Sequence, residues 1–187
     1  LEEVNNISKY FTKNTIITGE NVNEANLKNL SNSGDLLNYS TIHFATHGIA
    51  VPEFPELSAL VLSSHSDENE DNYLRLNEII ELELNADFVN LSACNTGIGK
   101  KYFGEGLVGL SYAFFTAGAK SLSVSLWSVN DNSTNIFMTN LYKYVTQNNI
   151  PYYKAINQVK RNFIKGQYGE EYKHPYYWAP FVYYGKK

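Results

Sequence analysis

Cysteine occurs once in the 187 residues, as Cys94. One thiol makes no intramolecular disulfide, and with four scattered histidines it completes no zinc site at any usual ligand spacing, so neither a disulfide scaffold nor a structural zinc is expected. We expect no cofactor and no metal. Methionine is equally scarce: Met138 is the only one, so the sequence does not open on a start codon, and the head LEEVNN reads as the interior of a longer chain. The expectation is a C-terminal piece of a larger protein. No apolar run approaches the roughly 18 residues of a membrane span, and no charged stretch followed by an apolar one opens the chain. A cytoplasmic domain without a membrane partner is expected. Basic charge is short as well, with 15 Lys and Arg against 19 Asp and Glu for a net charge of −4. The basic residues are dispersed, which removes the electrostatic footprint of a direct nucleic-acid binder.

What is present is enough apolar material, 43% of residues, for the core of one domain. Short β-rich runs alternate with amphipathic stretches, the pattern of an α/β domain whose mostly parallel sheet is covered by helices on both faces. LEEVNNISKYF (1–11) reads as the end of a helix, TIITGENV (15–22) as a strand, and NEANLKNL as the amphipathic stretch after it. TIHFATHG (41–48) reads as a buried strand ending at a glycine, and PELSALVLSS (55–64) as a further extended run. SHSDENEDN (64–72) is acidic and lacks apolar residues, hence a solvated loop. Leu76, Ile79, Ile80 and Leu84 recur at helical spacing and predict a crossover helix within 74–84.

ADFVNLSACNTG (86–97) predicts a second buried strand. A loop through Gly97, Gly99 and Gly104 leads to the helix GLVGLSYAFFTAG (106–118), stopped at Gly118. AKSLSVSLWSV (119–129) predicts a third strand, and Asn130 to Ser133 offer N-caps for the helix STNIFMTNLYKYVTQNN. Another helix is predicted in YYKAINQVKRNFIKG, and HPYYWAPFVYYG (174–185) reads as a closing aromatic strand.

Ligand sites of open α/β sheets gather at the carboxyl ends of parallel strands, where the loops lie outside the helical cover. His47 and Cys94 both sit at such ends. If strands 41–47 and 88–94 are neighbours, about 4.8 Å apart, the two side chains can share a substrate. The 46 residues between them suffice for a right-handed crossover with an inserted excursion. The chemistry needs both groups: a free thiol is mostly protonated at neutral pH, and a nearby imidazole favours the attacking thiolate and later protonates the leaving amine. That is acyl transfer, most simply peptide hydrolysis. Gly48 leaves room for the scissile carbonyl, and its N–H with that of Cys94 would form an oxyanion hole. Taken alone, Cys94 also reads as a buried apolar side chain or a redox-sensitive thiol.

HFATHG and NLSACNTG, followed by GEGLVGLSYAFFTAGAKSLSVSLWSVND and closed by HPYYWAPFVYYG, resemble the CHAT domain, a caspase-like cysteine peptidase module related to separase. The resemblance runs from about residue 15 to the C-terminus and meets the family's main motifs in order. True caspases carry Q-A-C-[RQG]-G. Here Ser92 stands in place of Gln and the glycine, Gly97, comes one residue late, so strict cleavage after Asp is not implied. The resemblance implies a caspase-like three-layer sandwich around a six-stranded sheet, with His47 as general acid/base and Cys94 as nucleophile. It makes residues 125–131 (SLWSVND) the segment along which an extended substrate pairs as an added strand. It also implies placement at the end of larger chains, often after tetratricopeptide repeats. Activation by an effector complex follows by the same analogy, in bacterial defence systems such as RNA-guided effectors and activators of pore-forming gasdermins.

The remaining residues have a functional and a plainer reading. Glu20 and Asp131 each follow a predicted strand that should end near the dyad, where a carboxylate would select a basic P1 side chain; Asp131 is equally a helix N-cap. Trp127 lines the substrate groove or belongs to the core. Glu105 orients a loop or favours a helix N-terminus, and Lys100-Lys101 is a processing site or a solvated pair. His43 reads as a satisfied sheet histidine, and His65 and His174 as surface or capping residues. The rival functions are a non-catalytic CHAT-like scaffold and a redox sensor built on Cys94. The sensor lacks a resolving cysteine in this chain.

Overall fold

The computed structural model describes residues 1–51, 53–64, 70–92 and 105–186, the main chain alone for 105–107. They form a mixed α/β fold in two compact units, one of residues 1–16 and 129–183, the other of 17–128 and 184–186. Among the described residues are six α-helices and two sheets.

The unit of residues 17–128 holds the parallel ladders. β1 (Thr41–Phe44) pairs in parallel with β5 (Phe88–Leu91), and β5 with β6 (Ser121–Ser125). Both β5 and β6 are buried along their whole length, as central strands covered on two faces must be. The order of this sheet is β1-β5-β6-β7, where β7 is Phe181–Gly185. Its end Gly185, at φ 140°, lies so close to Ser121 that a Cβ would come 2.6 Å from the serine Cβ. On one face Ile42, Phe44, Val89, Leu91, Leu122 and Val124 are apolar. α4 (Glu105–Thr116) lies on that face, with Phe114 5.5 Å from Phe44 between ring centroids.

Among the described residues the main sheet therefore has four strands where six were expected. The expected strand 41–48 is divided. It leaves the parallel sheet after Phe44, and β2 (His47–Ile49) joins β3 (Ala59–Val61) and β4 (Tyr73–Arg75) in a separate antiparallel sheet of order β2-β3-β4. The Thr46 hydroxyl donates to the Val61 carbonyl at the point of departure. TIITGENV forms no strand either: Gly19 takes φ 62°, outside the extended region, and opens a 3-10 turn over Gly19–Asn21.

Helix α3 (Leu76–Ile80) is shorter than the 74–84 pattern because the preceding residues are drawn into β4. The Glu78 carboxylate accepts the Arg75 N–H at 2.8 Å and marks where it starts. Leu82 and Leu84 are nonetheless buried, and the Leu84 N–H donates to the Ala117 carbonyl. α2 (Glu24–Asn32) begins at Asn23, whose side chain accepts the Asn26 N–H at 2.8 Å.

In the other unit α1 (Glu2–Ser8) packs on α5 (Asp131–Asn148), tied by Asn6 Nδ2 to Asn135 Oδ1 at 3.2 Å. α5 packs on α6 (Tyr152–Ile164), whose apolar Ala155, Ile156, Val159 and Phe163 keep to one helical face. Phe137 sits between Phe163 and Phe181, at 5.9 and 4.1 Å between ring centroids. HPYYWAP is not strand: Pro175 starts a 3-10 turn capped by His174 Nδ1, which accepts the Tyr176 N–H. No helix among the described residues is long and apolar enough to cross a membrane.

Candidate active site

β1 and β5 are parallel neighbours in one unbroken register. Thr41 faces Phe88, Ile42 faces Val89, His43 faces Asn90 and Phe44 faces Leu91, each partner 47 residues further along the chain. The Ser92 N–H donates to the Phe44 carbonyl at 2.9 Å, so the ladder continues one step past Leu91. Strand ends at this edge are where open α/β sheets expose chemistry.

His47 is the first residue of β2, three residues beyond the end of β1, with Val61 opposite it. His47 is exposed. Gly48 is buried and faces Leu60. The bond from Thr46 to Val61 anchors the residue before His47 to the residue across from it. Cys94, the glycine loop 97–104, Lys100-Lys101 and His65 lie outside the described residues, as does the side chain of Glu105.

Of the expected substrate-binding residues, Glu20 is exposed on the turn Gly19–Asn21. That turn is held to the strand opposite His47, since Ser63 bonds through its hydroxyl to the Gly19 carbonyl and through its N–H to the Val22 carbonyl. Ser63 is two residues past Val61, about 7 Å along an extended chain. Trp127 is half-buried beyond the end of β6, and its carbonyl accepts the Ser125 hydroxyl at 2.7 Å. Asp131 belongs to the other compact unit, where it is exposed as the first residue of α5. Asn130 is the cap of that helix, accepting the N–H groups of Asn132 and Ser133. The cap reading of Asp131 is corrected accordingly; a carboxylate at this first position adds favourable charge to the helix N-terminus.

Two groups escaped the sequence reading. One is a polar row inside the sheet: Asn90 Nδ2 lies 3.2 Å from His43 Nδ1, and Asn90 faces Ser123 across the β5–β6 ladder. A lone Asn within the apolar run FVNL was its only signal. The other joins α2 to α3. Lys28 Nζ donates to Glu70 and Glu78 at 2.7 and 2.8 Å and stands 3.7 Å from Glu24, whose Oε2 accepts the Asn72 N–H. Glu24 is 1% exposed. Burial pushes its carboxyl up to about 7, opposed by the Asn72 N–H and helped by the charges of Glu78 and Glu70. Burial works against the Lys28 ammonium, yet its bonds to Glu70 and Glu78 hold its pKa above the ordinary lysine range.

Compared with known proteins, the chain matches the family model described as the CHAT domain over residues 1–186. No curated protein matches it.

Proposed function

The chain belongs to the CHAT domain family, and from that premise we propose that it is a cysteine endopeptidase working through His47 and Cys94 within a caspase-like sandwich. One observation carries the reading: the β1–β5 register runs at an offset of 47 residues, and 47 residues also separate His47 from Cys94. β1 and β5, the strands that precede the two residues, are parallel neighbours in matching register, and His47 follows three residues after Phe44 at the head of β2.

In this mechanism the His47 imidazole takes the Cys94 proton, and the thiolate adds to the scissile carbonyl. The carbonyl oxygen becomes an oxyanion, received by the N–H groups of Gly48 and Cys94. The intermediate collapses by breaking the C–N bond, with the imidazolium proton passing to the amine, and leaves a thioester. Water, deprotonated by His47, then hydrolyses the thioester and returns the thiol. The substrate lies extended along residues 125–131, paired main chain to main chain beside Trp127, and Glu20 or Asp131 receives a basic P1 side chain. The substrate is a specific protein, met in the cytoplasm once a partner or effector complex, or repeats preceding this domain, activates the site. A prokaryotic antiviral defence system is the setting in which such a peptidase fits.

A proteome-derived peptide library tests the reading, cleaved by the protein together with its activator. Cys94→Ala and His47→Ala should each abolish cleavage and shift the thermal midpoint by only a few degrees. Turnover within tenfold of wild type in either variant removes the dyad. Rapid alkylation of Cys94, lost in His47→Ala, separates a peptidase from a scaffold of the same fold.

A further inference from the structure

We propose that the outer face of α4, with Ile80 of α3 and the 3-10 turn Pro55–Leu57 beside it, is a docking surface for a protein segment that carries large apolar side chains flanked by lysine or arginine.

α4 is apolar on two opposite sides. At about 100° per residue, Leu110, Ala113, Phe114 and Ala117 fall on one side, and all four are buried there, Phe114 against Phe44 of the sheet. Val108 and Tyr112 fall on the other and are 56% and 66% exposed. A helix covered on one side only ordinarily turns a polar side to water, and a helix apolar all round belongs in an interior. The flank between the two sides is taken by α3. Leu76 lies against Gly109, where a Cβ would stand 3.1 Å from the leucine Cδ1, and the Leu84 N–H donates to the Ala117 carbonyl. The two segments therefore run in the same direction, 33 residues apart at both points, 76 with 109 and 84 with 117. That sets Ile80 level with Ala113, next in the chain to Tyr112. Ile80 is exposed, and so are Phe54 and Leu57, at the 3-10 turn that packs on both α3 and α4. Single exposed apolar residues are ordinary, but five large ones gathered on adjoining elements mark an interaction site.

Charge selects the occupant. Residues 50–58, 76–87 and 105–119, which hold these elements, contain no Lys, Arg or His. Glu53, Glu56 and Glu81 are exposed, each next in the chain to one of the apolar residues Phe54, Leu57 and Ile80. The cations on elements that meet α3 are already engaged, Lys28 with Glu70 and Glu78, and Arg75 with Asp71. A second copy seated here about a two-fold axis would set acid against acid. An anionic lipid surface would be repelled for the same reason. A segment with basic flanks meets the acidic rim with opposite charge while its apolar residues cover Val108 and Tyr112.

The test displays a library of short random peptides to the full chain and sorts the binders by variant. Val108→Ser/Tyr112→Ser should keep its thermal midpoint within a few degrees of wild type, since neither side chain is buried, and should weaken one class of binder by about tenfold or more. Peptides of that class should carry large apolar residues between lysines or arginines, and their affinity should fall as salt rises. Glu53→Lys/Glu56→Lys/Glu81→Lys should turn the flanks of the selected peptides to Asp and Glu. Should the serine variant not fold, Phe54→Ser/Leu57→Ser takes its place. A library with no peptide sensitive to the serine variant, or with flanks indifferent to the lysine variant, overturns the proposal. So does a dimer in sedimentation, or flotation with phosphatidylserine–phosphatidylcholine vesicles, that the serine variant abolishes, because the face then belongs to a second copy or to a membrane. None of these readouts depends on cleavage, so they stand apart from the peptidase reading of His47 and Cys94.

Discussion

The Thr46 hydroxyl donates to the main-chain carbonyl of Val61, and Val61 is the residue opposite His47. The bond holds the imidazole's strand at the point where the chain changes sheets. Thr46→Val keeps the shape and removes the donor. Loss of one such hydrogen bond costs about 1 kcal/mol, or about 2–4 °C in the midpoint. Peptide cleavage should fall further, by about tenfold in kcat with KM little changed, because proton transfer tolerates small misplacement poorly. An unaltered kcat would show that the β2–β3 ladder alone holds His47.

Glu20 and Asp131 are both exposed, so neither meets a basic P1 side chain as a buried ion pair. A charge-assisted hydrogen bond is the scale to use, which makes removal of the right carboxylate worth about tenfold to hundredfold in kcat/KM. Glu20→Gln and Asp131→Asn, assayed on matched Lys, Arg and Leu substrates, should separate. One should depress cleavage after Lys and Arg alone, and the other should leave it unchanged. Equal loss on the Leu substrate would return Asp131 to the helix terminus it charges.

Glu24 makes stability depend on pH in an unusual direction. Its folded pKa of about 7 lies above the ordinary 4.5. Between those values the folded state binds more protons than the unfolded one, so stability falls as pH rises from about 4.5 to 7 and stays lower above. Glu78, held below the ordinary value by its Lys28 and Arg75 N–H bonds despite burial, loses its contribution only below that window. Urea unfolding at pH 5 and pH 8 should show the decline, and Glu24→Gln should flatten it.

Gly118 ends α4 at φ 111°, and a Cβ there would stand 2.0 Å from the Leu84 carbonyl oxygen. The clash is with main chain and cannot be relieved by a rotamer. Gly118→Ala should cost well over 1 kcal/mol, the sum of a disfavoured φ and a forced shift of the Leu84 segment. Denaturant titration measures it; a midpoint equal to wild type would mean that this segment is freer than its Leu84–Ala117 bond implies.

Elements governed by local chemistry were legible. α5 was expected after caps at 130–133 and begins at Asp131 with Asn130 as its cap, and the predicted stop at Gly118 is where α4 gives way. The buried strands at 88–91 and 121–125 showed as apolar or β-prone runs, whereas the neighbour relation of β1 and β5 entered the sequence reading only as a condition and is supplied by the structure. Elements decided by distant partners were not. Thr15, Ile16 and Ile17 have strand propensity, but both isoleucines are exposed and make no ladder. The break after Phe44 depends on a carbonyl fifteen residues beyond Thr46. His47 could be chosen from its place before a glycine at a strand end, yet nothing nearby in sequence says that it rides on a second sheet.

That division puts the two elements the peptidase reading needs under separate structural control. The parallel ladder of β1 and β5 and the imidazole belong to separate sheets, joined by Ala45 and Thr46. In the peptidase reading, an ångström of displacement of His47 would change the rate by about a hundredfold, and none of the β1–β5 pairs that set the parallel register includes His47.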